Sequence, residues 1–167
     1  MKSLFKYIII VFVLCFGFKT QAQNSIEEFK YKKSNLSSKE SQELDFLING
    51  GEGYMFITKD KQVISFPGKD GIIRLDINSS NDFTELTKGF TANMTSVIAI
   101  NIQWDGNEEI VLEEQFLQKI SDLKYIYIRS YTDLSKDLIQ QKFYKLLEQL
   151  NKHKNVIVLY ETMEQPS

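Results

Sequence analysis

The sequence predicts an α/β fold: a mixed sheet with an N-terminal antiparallel hairpin and a C-terminal parallel βαβαβ series, with helices packed on the sheet. In the second half of the chain, segments with apolar residues at every second position alternate with segments whose apolar residues have helical spacing, and the links between them are short. Strands that are joined through helices in this way run parallel. Two apolar runs around residues 59–61 predict the hairpin.

The first 22 residues have the pattern of a secretory signal peptide. Lys2 and Lys6 precede a twelve-residue apolar run, 7–18, and Ala22 supplies a small residue for cleavage. The run is shorter than the roughly 20 residues that span a bilayer, so we expect no stable membrane insertion after the signal is removed. We therefore predict a periplasmic or secreted protein. Its mature chain lacks cysteine, because Cys15 lies in the signal, and disulfides and cysteine-based metal sites are excluded.

The mature chain divides into a polar lead-in segment, 23–42, and a single α/β domain, 43–167. The lead-in is rich in lysine and serine and contains few apolar residues. Residues 43–49 fit two interpretations: their apolar residues alternate as in a strand, but Ser38 could also cap a helix that ends at Asn49 and Gly50.

The later elements follow from the spacing of apolar residues and from turn residues between them. The predicted strands are 54–58, 62–66, 73–77, 96–104, 121–129 and 155–160. The predicted helices are a short one after Ser80 or Asn81, one over 111–121 and the longest over 135–152, with Ser135 as its cap.

The spacing of strands also shows a repeat. Leu75, Ile100, Ile126 and Val156 serve as equivalent positions, and the segments LQKISDLKYIYI and LEQLNKHKNVIV place apolar residues alike. Over about residues 72–161 this spacing resembles leucine-rich repeats, without their asparagine ladder. The resemblance implies a short solenoid that binds partners on its strand face, which is the alternative to the compact α/β fold.

Every second side chain of a strand points to the same side of the sheet, and on the predicted strands these side chains define a polar face. Arginine and tyrosine recur at interfaces, and both arginines of the chain fall on this face. The alternative is that the same residues form a polar network covered by the N-terminal hairpin. The candidate binding residues are Arg74, Asp76, Asn101, Gln103, Tyr125, Tyr127 and Arg129.

A group of acidic residues follows the strand that ends near Trp104. Asp105, Glu109 and Glu113 are weak candidates for catalytic carboxylates, as in hydrolysis of glycosides. Acidic residues at the start of a helix are also favoured by its dipole alone. His153, the one histidine, lies near the C-terminal end of a predicted helix, where the helix dipole favours a protonated imidazole. No residue pattern predicts a metal site or a cofactor.

Together these patterns predict a secreted or periplasmic binding domain that contacts its partner through the face that bears tyrosine and arginine. The partner would be another protein or a glycan. The net charge of −2 becomes −5 when three signal lysines are removed, which disfavours nucleic acid. A carboxylate-dependent hydrolase and an inhibitor or immunity-like protein are the alternatives.

Overall fold

The structure, a computed structural model, describes residues 25–79, 81–83, 85, 94–152 and 156–165. The predicted signal peptide, Cys15, His153 and most of the helix predicted after Ser80 lie outside these residues.

Seven strands and five helices carry the fold of this described part, and residues 81–83 are also helical. The strands are β1 (Ile26–Glu28), β2 (Tyr54–Ile57), β3 (Val63–Phe66), β4 (Arg74–Ile77), β5 (Ala99–Gln103), β6 (Tyr125–Ser130) and β7 (Ile157–Thr162). The helices are α1 (Phe29–Ser34), α2 (Ser38–Asn49), α3 (Glu114–Lys119), α4 (Lys136–Lys142) and α5 (Tyr144–Leu150).

The strands form one mixed sheet in the order β1-β7-β6-β5-β4-β2-β3. The β2–β3 hairpin is antiparallel and all other neighbours are parallel. The predicted α/β class, with its hairpin and its parallel series, is therefore confirmed. Within the part of the chain that the structure describes, no helix is long and apolar enough to cross a bilayer.

The register of the parallel strands agrees with the repeat for three strands and differs for the fourth. Leu75 pairs with Ile100, which pairs with Ile126, as the repeat predicts. The partner of Ile126 on β7 is Val158 and not Val156, and β7 itself starts two residues later than predicted. An offset of two residues preserves side-chain parity, so the assignment of residues to faces is unaffected.

Two hydrophobic clusters lie on opposite faces of the sheet. The larger one contains the isoleucines of β5 and β6 together with residues of α3, α4 and α5, among them Ile100, Ile126 and Leu146. The smaller one joins α1 and α2 to the other face through Phe29, Leu44, Ile48, Ala99, Tyr127 and Leu159. The sheet is thus covered on both faces, which explains why β7 is apolar on both sides.

The segment predicted as a polar lead-in forms part of the fold from Ile26 onward. Ile26 to Glu28 add an edge strand to β7, and Phe29 of α1 is buried on the sheet. Residues 43–49 belong to α2 and not to a strand. The Ser37 hydroxyl accepts from the Glu40 N–H and the Glu40 side chain accepts from the Ser37 N–H, a capping box that starts this helix at Ser38.

The helix predicted over 135–152 is divided into α4 and α5 at Phe143. Ser135 caps α4 as predicted, since its hydroxyl accepts from the Leu138 N–H. Phe143 leaves helical dihedrals, and its buried ring packs edge-on against Trp104, with 5.1 Å between ring centroids. The amphipathic spacing predicts a helix here but carries no signal for this break. The helix predicted over 111–121 is likewise shorter and spans only α3.

Candidate binding site

The polar sheet face predicted from parity lies beneath α1 and α2. Tyr127 and Ala99 of this face belong to the cluster that contains Leu44 and Ile48 of α2. The cover therefore comes from the N-terminal helices and not from the hairpin. α2 leaves part of the face open beyond its last residue, Asn49.

This open part is a cleft of about 270 Å³, which we call the α2 cleft. Four of the seven candidate binding residues line it, together with the end of α2 and the first residue of β2. The lining residues are Ile48, Asn49, Gly50, Gly51, Tyr54, Arg74, Asp76, Asn101 and Arg129.

Arg74 and Asp76 form a partly buried ion pair in the α2 cleft. Two residues apart on β4, they point to the same face, and the Arg74 Nε and Nη2 atoms donate to the two Asp76 carboxylate oxygens at 2.9 and 3.1 Å. The Arg74 Nη1 atom donates to the Leu47 carbonyl at 3.1 Å, and the guanidinium lies 4.7 Å from the centroid of the Tyr54 ring. Arg74 is 4% exposed and its donors bind Asp76 and the Leu47 carbonyl, so its main role is to stabilise the fold.

Asn101 and Arg129 differ from this pair, because each keeps a buried polar atom without a hydrogen-bond partner in the described chain. Asn101, 4% exposed, donates from Nδ2 to the Ile48 carbonyl at 2.8 Å, but its Oδ1 accepts from nothing. The Arg129 Nε atom is also buried and unpaired. Unsatisfied buried polar atoms are rare in folded proteins and call for an explanation, such as a bound molecule or an ordered water.

The carboxylate across the strands from Arg129 is engaged by other groups. Glu161 pairs in register with Arg129, but its Oε2 accepts from the Tyr127 hydroxyl at 2.5 Å and its Oε1 lies 3.7 Å from the Lys30 Nζ. Burial, and next the bond to Glu161, raise the pKa of the Tyr127 hydroxyl well above its usual range. Tyr127 therefore remains neutral and donates its hydroxyl hydrogen to the Glu161 carboxylate.

Tyr127, Tyr125 and Gln103 do not line the α2 cleft. Tyr127 is 2% exposed and its ring lies 5.0 Å from that of Phe29, so it belongs to the core. Tyr125 lines a second cleft of about 250 Å³ beside Leu44 and Lys124. Gln103 is half-buried and lies next to Arg129 in the sheet register.

Three aromatic side chains extend the same face beyond the α2 cleft, and we call them the aromatic patch: Tyr54, Phe56 and Phe66. Tyr54 pairs with Arg74 on one side and with Phe66 on the other, so all lie on one face. The rings are nearly parallel, with centroids 5.0 Å apart for Tyr54 and Phe66 and 6.1 Å apart for Phe56 and Phe66. Phe66, on the edge strand, is 43% exposed.

The three candidate catalytic carboxylates lie at the surface. Asp105 is exposed, and its Oδ1 accepts from the backbone N–H groups of Asn107 and Glu108, which lowers the pKa of its carboxyl. Glu109 is exposed and pairs with Lys145 at 2.9 Å, and Glu113 is exposed at the start of α3. Neither of the two clefts described above is lined by these carboxylates. Among the described residues, no three acidic, histidine or cysteine side chains are grouped to hold a metal ion.

Sequence reasoning missed the contributions of Tyr54, Asn49 and Glu161 to this site. Glu161 pairs with Arg129 in the β6–β7 register, which differs by two residues from the register that the repeat predicts, so this partner of Arg129 was missed. Tyr54 is in register with Arg74, so its place beside the ion pair follows from the β2–β4 pairing. Asn49 carried no signal for a site beyond that of a helix end.

No protein family, no curated protein and no solved structure matches the chain in the comparisons made. The resemblance to leucine-rich repeats therefore stays a prediction.

Proposed function

We propose that the protein is a secreted or periplasmic binding domain that captures its partner at the α2 cleft. The observation that carries the proposal is the pair of buried, unsatisfied polar atoms, Asn101 Oδ1 and Arg129 Nε, in two side chains that line an open cleft. A partner group that supplies a donor to the first and an acceptor to the second, directly or through one ordered water, would satisfy both.

The remaining lining favours recognition and not chemistry. Arg74 is held by Asp76, by the Leu47 carbonyl and by the Tyr54 ring, so it is fixed in place. A rigid wall next to two unsatisfied groups lowers the entropy lost on binding, because few side chains must be ordered.

The hydrolase alternative has less support. General acid and base catalysis needs two carboxyl groups that face one substrate across a cleft. Asp105 and Glu109 are instead engaged by their own turn and by Lys145, at the surface.

An array of oligosaccharides and peptides, probed with labelled protein, tests the proposal. We expect the native protein to bind at least one class of probe, and Arg129→Gln to lose that binding. Arg129 is substituted alone, because Tyr127 is in the core and its replacement would disturb packing. Lys124→Gln is the matched control, since it removes one positive charge from the exposed rim of the other cleft.

Thermal unfolding of each variant shows whether the domain remains folded. Probes bound equally well by the native protein and by folded Arg129→Gln would contradict the α2 cleft as the contact site. Binding confined to one secreted protein or its peptides would favour the inhibitor or immunity-like alternative within the same proposal.

A further inference from the structure

We infer that the α2 cleft binds an acidic sugar residue of a glycan, with a neighbouring sugar on the aromatic patch, an inference that rests on the binding function proposed above. Three properties of the site indicate this ligand: its charge, its unsatisfied acceptor and its aromatic extension.

The charge of the cleft selects an anionic group. The lining contains two arginines and one aspartate, a net charge of +1 in a chain whose net charge is −2. Arg74 and Asp76 satisfy each other, so the attraction for an anion comes from Arg129. A guanidinium presents its donors in a planar fork that matches a carboxylate.

The unsatisfied acceptor favours a ligand that also carries a hydrogen-bond donor. Asn101 lines the cleft with its Oδ1 buried and unsatisfied, and its amide is held in one orientation, because Nδ2 donates to the Ile48 carbonyl. A carboxylate has no hydrogen to give to this oxygen. A uronic acid carries hydroxyl groups beside its carboxylate, so one residue can serve Arg129 and Asn101 together.

The aromatic patch favours a glycan over an acidic peptide. Tyr54 belongs to both the cleft and the patch, and Phe66 beyond it is exposed. The electron-rich faces of aromatic rings attract the C–H groups that line one side of a sugar ring. A peptide carboxylate has no comparable rigid apolar face.

The size of the cleft limits what enters it. Its volume of about 270 Å³ lies just below the range of roughly 300–1,000 Å³ that holds a complete drug-sized ligand. One sugar residue therefore occupies the cleft, and the chain continues over the patch.

Isothermal titration calorimetry with trigalacturonate tests this inference. The comparison ligands are the same trisaccharide with its carboxyl groups reduced to alcohols, and a hexapeptide of alternating glutamate and serine. We expect the native protein to bind trigalacturonate at least tenfold more tightly than either comparison ligand, with weaker binding at high salt. Arg129→Gln should weaken trigalacturonate binding at least tenfold, and Phe66→Ser about three- to tenfold.

Tyr144→Ser is the matched control for Phe66→Ser, because Tyr144 is 54% exposed and belongs to α5 on the opposite face. Its affinity for trigalacturonate should stay within about twofold of the native value. Equal affinity for the acidic and reduced trisaccharides, or no binding of trigalacturonate, would overturn the inference. Binding of the hexapeptide alone, lost in Arg129→Gln, would overturn the glycan while leaving the proposed function in place. Loss of affinity in Tyr144→Ser as large as in Phe66→Ser would remove the patch from the inference.

Discussion

The Asn101 side chain donates from Nδ2 to the Ile48 carbonyl at 2.8 Å, across 53 positions of sequence. Arg74 makes the same kind of bond to the preceding carbonyl, that of Leu47. The last turn of a helix leaves carbonyl groups without intrahelical partners, and these two side chains satisfy two of them from the sheet. The end of α2 is thus attached to the sheet at the border of the cleft.

Replacement of Asn101 by alanine should lower the free energy of unfolding by about 1–3 kcal/mol. The substitution leaves the buried Ile48 carbonyl without its donor, and an unsatisfied buried group has a cost of this size. Urea denaturation followed by circular dichroism measures it. Gln115→Ala, at an exposed position of α3, should change stability by no more than about 0.5 kcal/mol. An effect of Asn101→Ala as small as that of Gln115→Ala would show that the bond does not hold α2 in place.

Replacement of Arg74 by glutamine should destabilise the domain by about 3 kcal/mol, because it leaves the Asp76 carboxylate partly buried without its cation. Arg74→Lys should recover less than half of this loss. An ammonium cannot donate to both Asp76 oxygens and to the Leu47 carbonyl in the planar geometry of a guanidinium.

Chemical denaturation of both Arg74 variants checks the order of these effects. The control is Lys39→Gln, which removes an exposed ion pair with Glu43 at 3.7 Å and should have almost no effect. Full recovery by lysine would mean that charge alone, and not the fork of donors, is what Arg74 supplies.

Tyr127 should make the stability of the domain depend on pH in alkaline solution. The pKa of its hydroxyl is raised in the folded state, so the folded protein keeps this proton when the unfolded chain releases it at about pH 10. The contribution is complete below pH 10 and is lost as pH rises toward the folded pKa, by at most about 1.4 kcal/mol per pH unit.

Tyr127→Phe removes this group, so its free energy of unfolding should fall less steeply than that of the native protein between pH 10 and 11. Urea denaturation at both pH values gives the two slopes. Tyr131→Phe, at an exposed tyrosine, should retain the native slope. Parallel slopes for native protein and Tyr127→Phe would contradict a buried, neutral Tyr127.

The division of β6 into two faces could be predicted from sequence. Ile126 and Tyr127 follow each other on a strand, and the period of two alone places them on opposite sides of the sheet. The pairing of Leu75, Ile100 and Ile126 was predictable for a similar reason, because short βαβ units repeat their spacing.

The cover of the polar face could not be predicted in this way. It depends on where α2 passes over the sheet, and contacts such as that of Asn101 with Ile48 join residues far apart in sequence. The local spacing of apolar residues carries no information about such contacts. Tyr127 and Arg129 lie two residues apart on the same face of β6, but their surroundings differ. Phe29 covers Tyr127, whereas Arg129 borders a cleft, and the spacing of residues along the strand does not predict this difference.

Gly53 should tolerate no side chain, because it has a left-handed backbone directly before β2 and its main chain bonds to residues at the end of β3 and the start of β4. Its φ is +73°, and a Cβ there would lie 2.9 Å from Ile73 Cγ1. Its N–H donates to the Phe66 carbonyl at 2.6 Å, and its carbonyl accepts from the N–H groups of Ile73 and Arg74. Gly53→Ala should therefore destabilise the domain by at least about 1–2 kcal/mol.

Gly51→Ala is the control for this substitution, since a Cβ at Gly51 meets no atom within 4 Å and its φ is not in the left-handed region. It should leave stability unchanged or raise it slightly, because alanine reduces the freedom of the unfolded chain. Thermal and urea unfolding of the two variants compare them directly. Because Gly53 precedes Tyr54, its replacement should also displace the residue shared by the cleft and the aromatic patch. Equal stability of both variants would show that the backbone at Gly53 relaxes without disturbing the strands it joins.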